Sequence, residues 1–232
     1  MKKIGHYIIR GEIELLSGTR IGGSDDVLQI GGTDLTCIKD PVTRKPYIPG
    51  SSIKGKMRSS LEKAWGKFGG DGSDPCGCAR ADCPVCRVFG PHKKTDHNLG
   101  PTRIIVRDAP VVGDFTLENK TESVNDRKSS AAKHPRTVER VAPGARFSLE
   151  IGVQEFDLDS SFTYKDSENN DRRAADALIE VVDHALNAME QVGIGAGTSK
   201  GYGKIRIHWD GTVEKCQRRS HTRTPQDSEC VG

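Results

Sequence analysis

Over residues 6 to 15 apolar and polar side chains alternate. Tyr7, Ile9, Ile13 and Leu15 fall on one side, His6, Arg10, Glu12 and Glu14 on the other. A period of two is that of a half-buried strand. The period changes after Pro49-Gly50. Ile53, Met57, Leu61, Ala64, Trp65 and Phe68 recur at helical spacing, which predicts a helix with one apolar face from about Ser51. Arg103 to Asp108 reads as a short strand around Ile104, Ile105 and Val106. From Arg146 to Phe156 the alternation returns, with Phe147, Leu149, Ile151 and Val153 inward. Ala175, Leu178, Ile179, Val182, Leu186 and Met189 make the stripe of a second helix, and Ile205, Ile207 and Trp209 alternate in a last strand. Strand, helix, strand, strand, helix, strand is the α+β, ferredoxin-like βαββαβ order, which also builds RRM-like sheets.

What lies between these elements is as informative. Residues 17 to 50 are a long glycine-rich loop, and a loop of that length is usually functional. Residues 69 to 101 form a cysteine-rich insertion. Residues 110 to 142 are polar and basic, an extended hairpin or a mobile arm. One domain is expected over 1–210, interrupted by these three insertions, with 211–232 a patternless tail expected to be disordered.

Composition narrows the options. The formal net charge of +3 does not by itself call for a polyanion, so the placement of the cations has to make that case. Aromatic residues are 5% of the chain, so base stacking cannot dominate any nucleic-acid contact. No apolar run approaches a membrane span and the N-terminal residues lack the apolar centre of a signal peptide, so a cytoplasmic protein without a membrane role is expected. Seven cysteines in a reducing compartment argue for metal or free thiols rather than disulfides.

Five constellations carry candidate chemistry. Ser51 or Ser52 is expected to cap the first helix, and the position where a capping box would place an acid holds Lys54 or Gly55. With Lys54 and Arg58 beside it, that helix start suits a phosphate; the alternative is an ordinary amphipathic helix with solvated lysines. The loop Gly193 to Gly203 resembles a Walker loop in composition but leaves a helix and enters a strand, the reverse order. Its glycines let a phosphate backbone approach and Lys200 adds charge; the alternative is a helix-ending turn. Cys76, Cys78, Cys83 and Cys86 suit tetrahedral, structural Zn2+, with His92 a substitute for one thiolate. Finally, Asp34 follows Gly31-Gly32-Thr33, with Asp25 and Asp26 on the same loop, and the basic arm sets Arg127, Lys128, Lys133, His134, Arg136 and Arg140 against Asp126 and Glu139.

Together these residues resemble the RAMP superfamily of CRISPR proteins. The segments that carry the likeness run from Pro46 to Arg58, from Ile30 to Asp34 and on through Lys39-Asp40-Pro41, from Cys83 to Gly90, from Glu139 to Phe147, and over Lys200-Gly201-Tyr202-Gly203. The closer likeness is to the repeated backbone subunit of the type III-A effector, the Csm complex, over roughly residues 5 to 210. That resemblance implies a palm that holds CRISPR RNA, a thumb (the arm) that interrupts pairing with a target single-stranded RNA, and cutting of that target with Mg2+ or another divalent cation at Asp34. It implies as partners further copies of the chain and other type III effector subunits. It places RNA contacts at Arg20, Gly22, Gly23, Ser51, Ser52, Lys54, Arg58, Arg127, Arg136, Gly195, Thr198, Ser199, Lys200 and Gly201. Arg20 stands where the family often has His, and Leu35-Thr36 where it commonly has Asn-Pro or Ser-Pro. Three other readings remain: a non-catalytic RNA-binding scaffold, a RAMP endoribonuclease that processes guide precursors with a His base, and a zinc-ribbon interaction module.

Overall fold

The structure is a computed structural model that describes residues 1–22, 35–70, 72–94, 96–125, 127–128, 132–166 and 168–216. In chain order the elements are β1 (Lys3–Leu15), β2 (Tyr47–Ile48), α1 (Gly50–Trp65), β3 (Phe68–Gly69), β4 (Asp74–Pro75), α2 (Pro84–Phe89), β5 (Ile104–Val106), β6 (Ala109–Val112), β7 (Leu117–Asn125), β8 (Ala132–Val141), β9 (Arg146–Phe156), β10 (Thr163–Lys165), β11 (Asp171–Arg173), α3 (Ala174–Val192), β12 (Ile205–His208) and β13 (Val213–Lys215).

The palm is an antiparallel sheet in the order β12-β1-β9-β6-β2. The expected inward residues meet across its central ladder, where Ile9 is opposite Ile151 and Ile13 opposite Phe147. All four are buried, and so are Ile53, Met57 and Leu61 of α1 and Leu178, Val182, Leu186 and Met189 of α3. With α1 and α3 in sequence between the strands, this is the expected ferredoxin-like arrangement. The outward residues of the sheet are polar and paired with one another. Arg10 meets Glu150 at 3.1 Å, Arg146 meets Glu12 at 3.2 Å and His208 meets Glu14 at 2.6 Å. Such a face has no aromatic platform for bases.

Three boundaries differ from expectation. The second strand is two pieces, β5 and β6, which share β9 as partner, so residues 110–112 belong to the palm rather than the arm. The tail is not patternless throughout, because Val213–Lys215 pairs with Tyr7–Ile9. The polar loop after β9 contains the short hairpin β10–β11, folded onto α3. The arm itself is the two-stranded hairpin β7–β8, a separate sheet. The long loop is tied down along 35–48 by single bridges and by β2, while 23–34 lie outside the described residues. Among the described residues no helix is long and apolar enough to cross a membrane.

Candidate functional site

The start of α1 meets the glycine loop. No side chain caps this helix, so neither Ser51 nor Ser52 plays the expected capping role. Instead the Gly50 N–H donates to the Asp108 carboxylate at 2.7 Å, an acid 58 residues away that supplies what the capping position lacks. The serines face outward. Ser51, Ser52, Gly55, Lys56 and Ser59 line one side of an open groove, and Ile21, Gly22, Ile194, Gly195 and Ala196 line the other. The second side is itself stitched by backbone, with the Ala196 N–H donating to the Arg20 carbonyl at 2.9 Å. Gly195 is required there, because it has φ +84° and a Cβ would lie 2.5 Å from the Arg20 carbonyl oxygen. A Cβ on Gly203 would come within 1.9 Å of the Ile194 carbonyl oxygen. Part of the glycine content of this loop therefore answers to backbone crowding, not to a ligand.

The two cations read as a pair on α1 part company with the serines. At about 100° per residue Lys54 falls roughly 200° from Ser52. Lys54 is half-buried, has no partner among the described residues, and its pKa is pushed down by burial and then by Arg58. Arg58 is engaged: its Nε donates to Glu62 at 2.8 Å and an Nη to the Cys76 carbonyl at 2.8 Å. Lys56, passed over in the sequence, is the lysine that lines the groove; its position four residues after Ser52 was the available signal.

Thr198, Ser199 and Lys200 form a short 3-10 turn closed by Gly201. Thr198 and Gly201 line a neighbouring groove with Tyr202, between the end of α3 and β12. Tyr202, not singled out from the sequence, is buried where this loop meets the hairpin. Lys120 and Arg140 stand over its ring at 4.6 and 4.5 Å, and its hydroxyl donates to Glu122 of β7. Glu122 also meets Arg136 at 3.0 Å and Lys200 at 3.4 Å. The Tyr202 hydroxyl first, then Arg136, pull the pKa of Glu122 down to about 2. Arg127 is exposed at the hairpin turn. Arg20 directs its Nε to the Thr36 carbonyl at 3.3 Å.

Gly23 and Asp34, with Asp25 and Asp26, lie outside the described residues. The chain immediately after Asp34 is fixed to the hairpin base. The Leu35 N–H donates to the Thr137 carbonyl at 3.2 Å, and the Glu139 N–H to the Leu35 carbonyl at 2.9 Å. The Glu139 carboxylate then takes the Cys37 N–H at 3.0 Å and Lys39 at 2.9 Å.

The four cysteines converge as expected. Their sulfurs all lie within 4.8 Å of one another, with Cys76–Cys83 at 3.9 Å and Cys78–Cys86 and Cys76–Cys86 at 3.7 Å. A tetrahedral Zn2+ with bonds of about 2.3 Å sets its sulfurs about 3.8 Å apart, so the donor set fits that ion. His92 is not among them; its ring faces Asp74 at 3.8 Å. The neighbouring Cys86 thiol holds the Cys83 pKa below the usual thiol range, and the same proximity pushes Cys86 up. Around the cluster, Glu62 accepts the Cys76 N–H at 2.9 Å. Asp159, fully buried, takes Arg103 through two 2.8 Å bonds and Arg87 of α2 at 3.3 Å. These contacts fasten the insertion to the palm.

Comparison with known proteins places this geometry. The RAMP superfamily profile matches residues 12–206. The chain is 40% identical over 225 residues to the CRISPR system Cms endoribonuclease Csm3 of Methanothermobacter thermautotrophicus, covering 87% of this chain and 83% of that protein. It is 37% identical over 214 residues to the protein of the same name from Methanocaldococcus jannaschii, covering 88% and 79%. A chain in the solved type III-B Cmr-beta complex bound to cognate target RNA aligns with a TM-score of 0.56 at 22% identity, covering 91% of this chain and 61% of that one, which speaks for a shared fold.

Proposed function

The chain belongs to the RAMP superfamily, and on that premise we propose that it is the repeated backbone subunit of a type III CRISPR ribonucleoprotein. It binds CRISPR RNA along the phosphate backbone and cleaves complementary single-stranded target RNA at regular intervals. Its partners are further copies of itself and other type III effector subunits. The observation that carries this reading is the groove between α1 and the glycine loop. It presents serine hydroxyls, glycine backbone and Lys56 rather than aromatic rings. Those groups recognise phosphate and sugar, not base edges. A subunit that must carry any guide sequence needs that kind of surface.

Cleavage proceeds by attack of the target's 2′-OH on the adjacent phosphate. The 2′-O–P bond forms, the P–O5′ bond breaks, and the products end in a 2′,3′-cyclic phosphate and a 5′-hydroxyl. The hairpin β7–β8 is the thumb that pushes one nucleotide out of the duplex, which lets it reach the in-line geometry. Asp34 is the catalytic carboxylate, and a divalent cation held there would offset charge developing on the phosphate. The anchoring of Leu35 to Thr137 and Glu139 supports this, since it fixes the residue next to Asp34 against the thumb strand β8. The Cys76, Cys78, Cys83 and Cys86 site holds structural zinc.

The test is expression with a CRISPR array and the other effector subunits, followed by purification. Discrete short RNAs should co-purify, and a complementary target should be cut at even spacing. A purified assembly free of RNA would refute the reading.

A further inference from the structure

Above its base the thumb is a two-stranded, highly charged ribbon, and such a hairpin is marginally stable alone. It is steadied against the palm through Glu122. Three donors from two separate parts of the chain converge on that carboxylate: the Tyr202 hydroxyl and Lys200 Nζ from the glycine loop, and Arg136 from β8. Around the joint, among the described residues, Lys120, Arg136, Arg140 and Lys200 gather about the two carboxylates Glu118 and Glu122, and Glu118 is taken by Arg140. The pairing of β7 with β8 slips just after Glu122, so the ribbon bends at this residue. Lys200 and Arg136 remain about half exposed, at 57% and 49%, while the Glu122 side chain is 16% exposed. The cations are thus open to an incoming polyanion and the carboxylate sits inward among them.

We propose that Glu122 is an internal anion seated in a phosphate site shared by the thumb and the glycine loop, and that an RNA phosphodiester takes its place. This rests on the RNA-binding reading above and adds what that reading lacks, a coupling between filling the glycine loop and freeing the thumb. The donor set is one that accepts either occupant: a hydroxyl, an ammonium and a guanidinium bind a phosphate oxygen as they bind a carboxylate. A phosphodiester carries one charge, as Glu122 does, so the exchange leaves the local charge balance unchanged while transferring the joint from the thumb to the RNA.

The experiment uses the full chain and a single-stranded oligouridine of fixed length, with binding measured over a salt series and hydrogen exchange followed across residues 117–125 and 132–141. Glu122→Gln is compared with Glu118→Gln, which removes the same charge from the same strand. If Glu122 competes with phosphate, Glu122→Gln raises affinity on the order of threefold to tenfold, the scale of one or two exposed ion pairs. Glu118→Gln then raises it less. In the parent, RNA lowers hairpin protection to the level Glu122→Gln shows without RNA. Equal gains for the two variants would overturn the proposal, as would hairpin protection that RNA leaves unchanged or increases, with the RNA-binding reading still intact. Failure of both parent and Glu122→Gln to bind the oligonucleotide would overturn both.

Discussion

Lys54 and Arg58 sit one turn apart on α1, and replacing each by a neutral residue should give opposite outcomes. Lys54 is half-buried without a partner among the described residues, and its ammonium is disfavoured in the folded chain by burial and by Arg58. For a base, a folded pKa below the unfolded value means that the charge costs stability below that folded pKa. Lys54→Met keeps the aliphatic stem and removes the cost, so the melting temperature should hold or rise. What it should lose is the phosphate contact that the family resemblance places at Lys54, on the flank of α1 turned away from the groove serines. One contact fewer lowers the slope of log K against log[salt] by about 0.7 for a single strand. Between 50 and 200 mM salt, a fourfold range, that slope difference is about 0.4 in log K, or roughly 2.6-fold. The variant's deficit in RNA binding should therefore shrink by that factor as salt rises. Arg58→Ala removes the guanidinium from Glu62, which is 3% exposed and keeps the Cys76 N–H. Breaking a pair of this burial costs on the order of 3 kcal/mol. In a chain of this size that is a drop of about 6–12 °C in melting temperature. Anisotropy titrations and thermal melts on both variants decide the matter. A Lys54→Met slope that overlays the parent, or a melt lowered as far as that of Arg58→Ala, would show that the division of labour argued here is wrong.

Three further outcomes are expected. Elemental analysis should find about one zinc per chain, and Cys83→Ser should lose it and raise hydrogen exchange in the insertion while the palm stays protected; a metal-free native protein with four freely titrating thiols contradicts this. Asp159→Asn leaves two buried guanidiniums without their carboxylate and should cost about 3–5 kcal/mol in denaturant unfolding, so a loss under about 1 kcal/mol would mean the triad is not what fastens the insertion. Asp34→Ala should keep guide and target binding and slow cutting by about 10²-fold or more; a parental cutting rate, or cutting at a site whose target carries a 2′-deoxy nucleotide, would move the catalytic group or the nucleophile elsewhere.

How far the sequence reaches depends on the range of the interaction. The palm was legible because strand and helix periods are local: Ile9, Ile13, Phe147 and Ile151 lie where alternation places them. The cysteine cluster was legible because ligand spacing is local too. The capping of α1 was not, since its acid, Asp108, arrives from the distant link between β5 and β6. Arg103 stands at the start of the expected strand with nothing local to mark its burial, yet it is fully buried because Asp159 meets it from 56 residues away. β13 holds one apolar residue in three, too short a stretch for any period to show. Arg58 looked like a free cation although Glu62, four residues on along the same helix, is its local partner; the second partner, the Cys76 carbonyl, becomes visible only once the insertion folds back on the helix.

That fold-back gives α1 two duties. Ser51, Ser52, Lys56 and Ser59 look into the groove, and through Arg58 and Glu62 the same sixteen-residue helix grips the backbone of Cys76. On the zinc and guide-binding roles proposed above, a copy without its metal should loosen the grip on one flank of the helix whose other flank meets RNA, and should compete poorly for guide against intact copies.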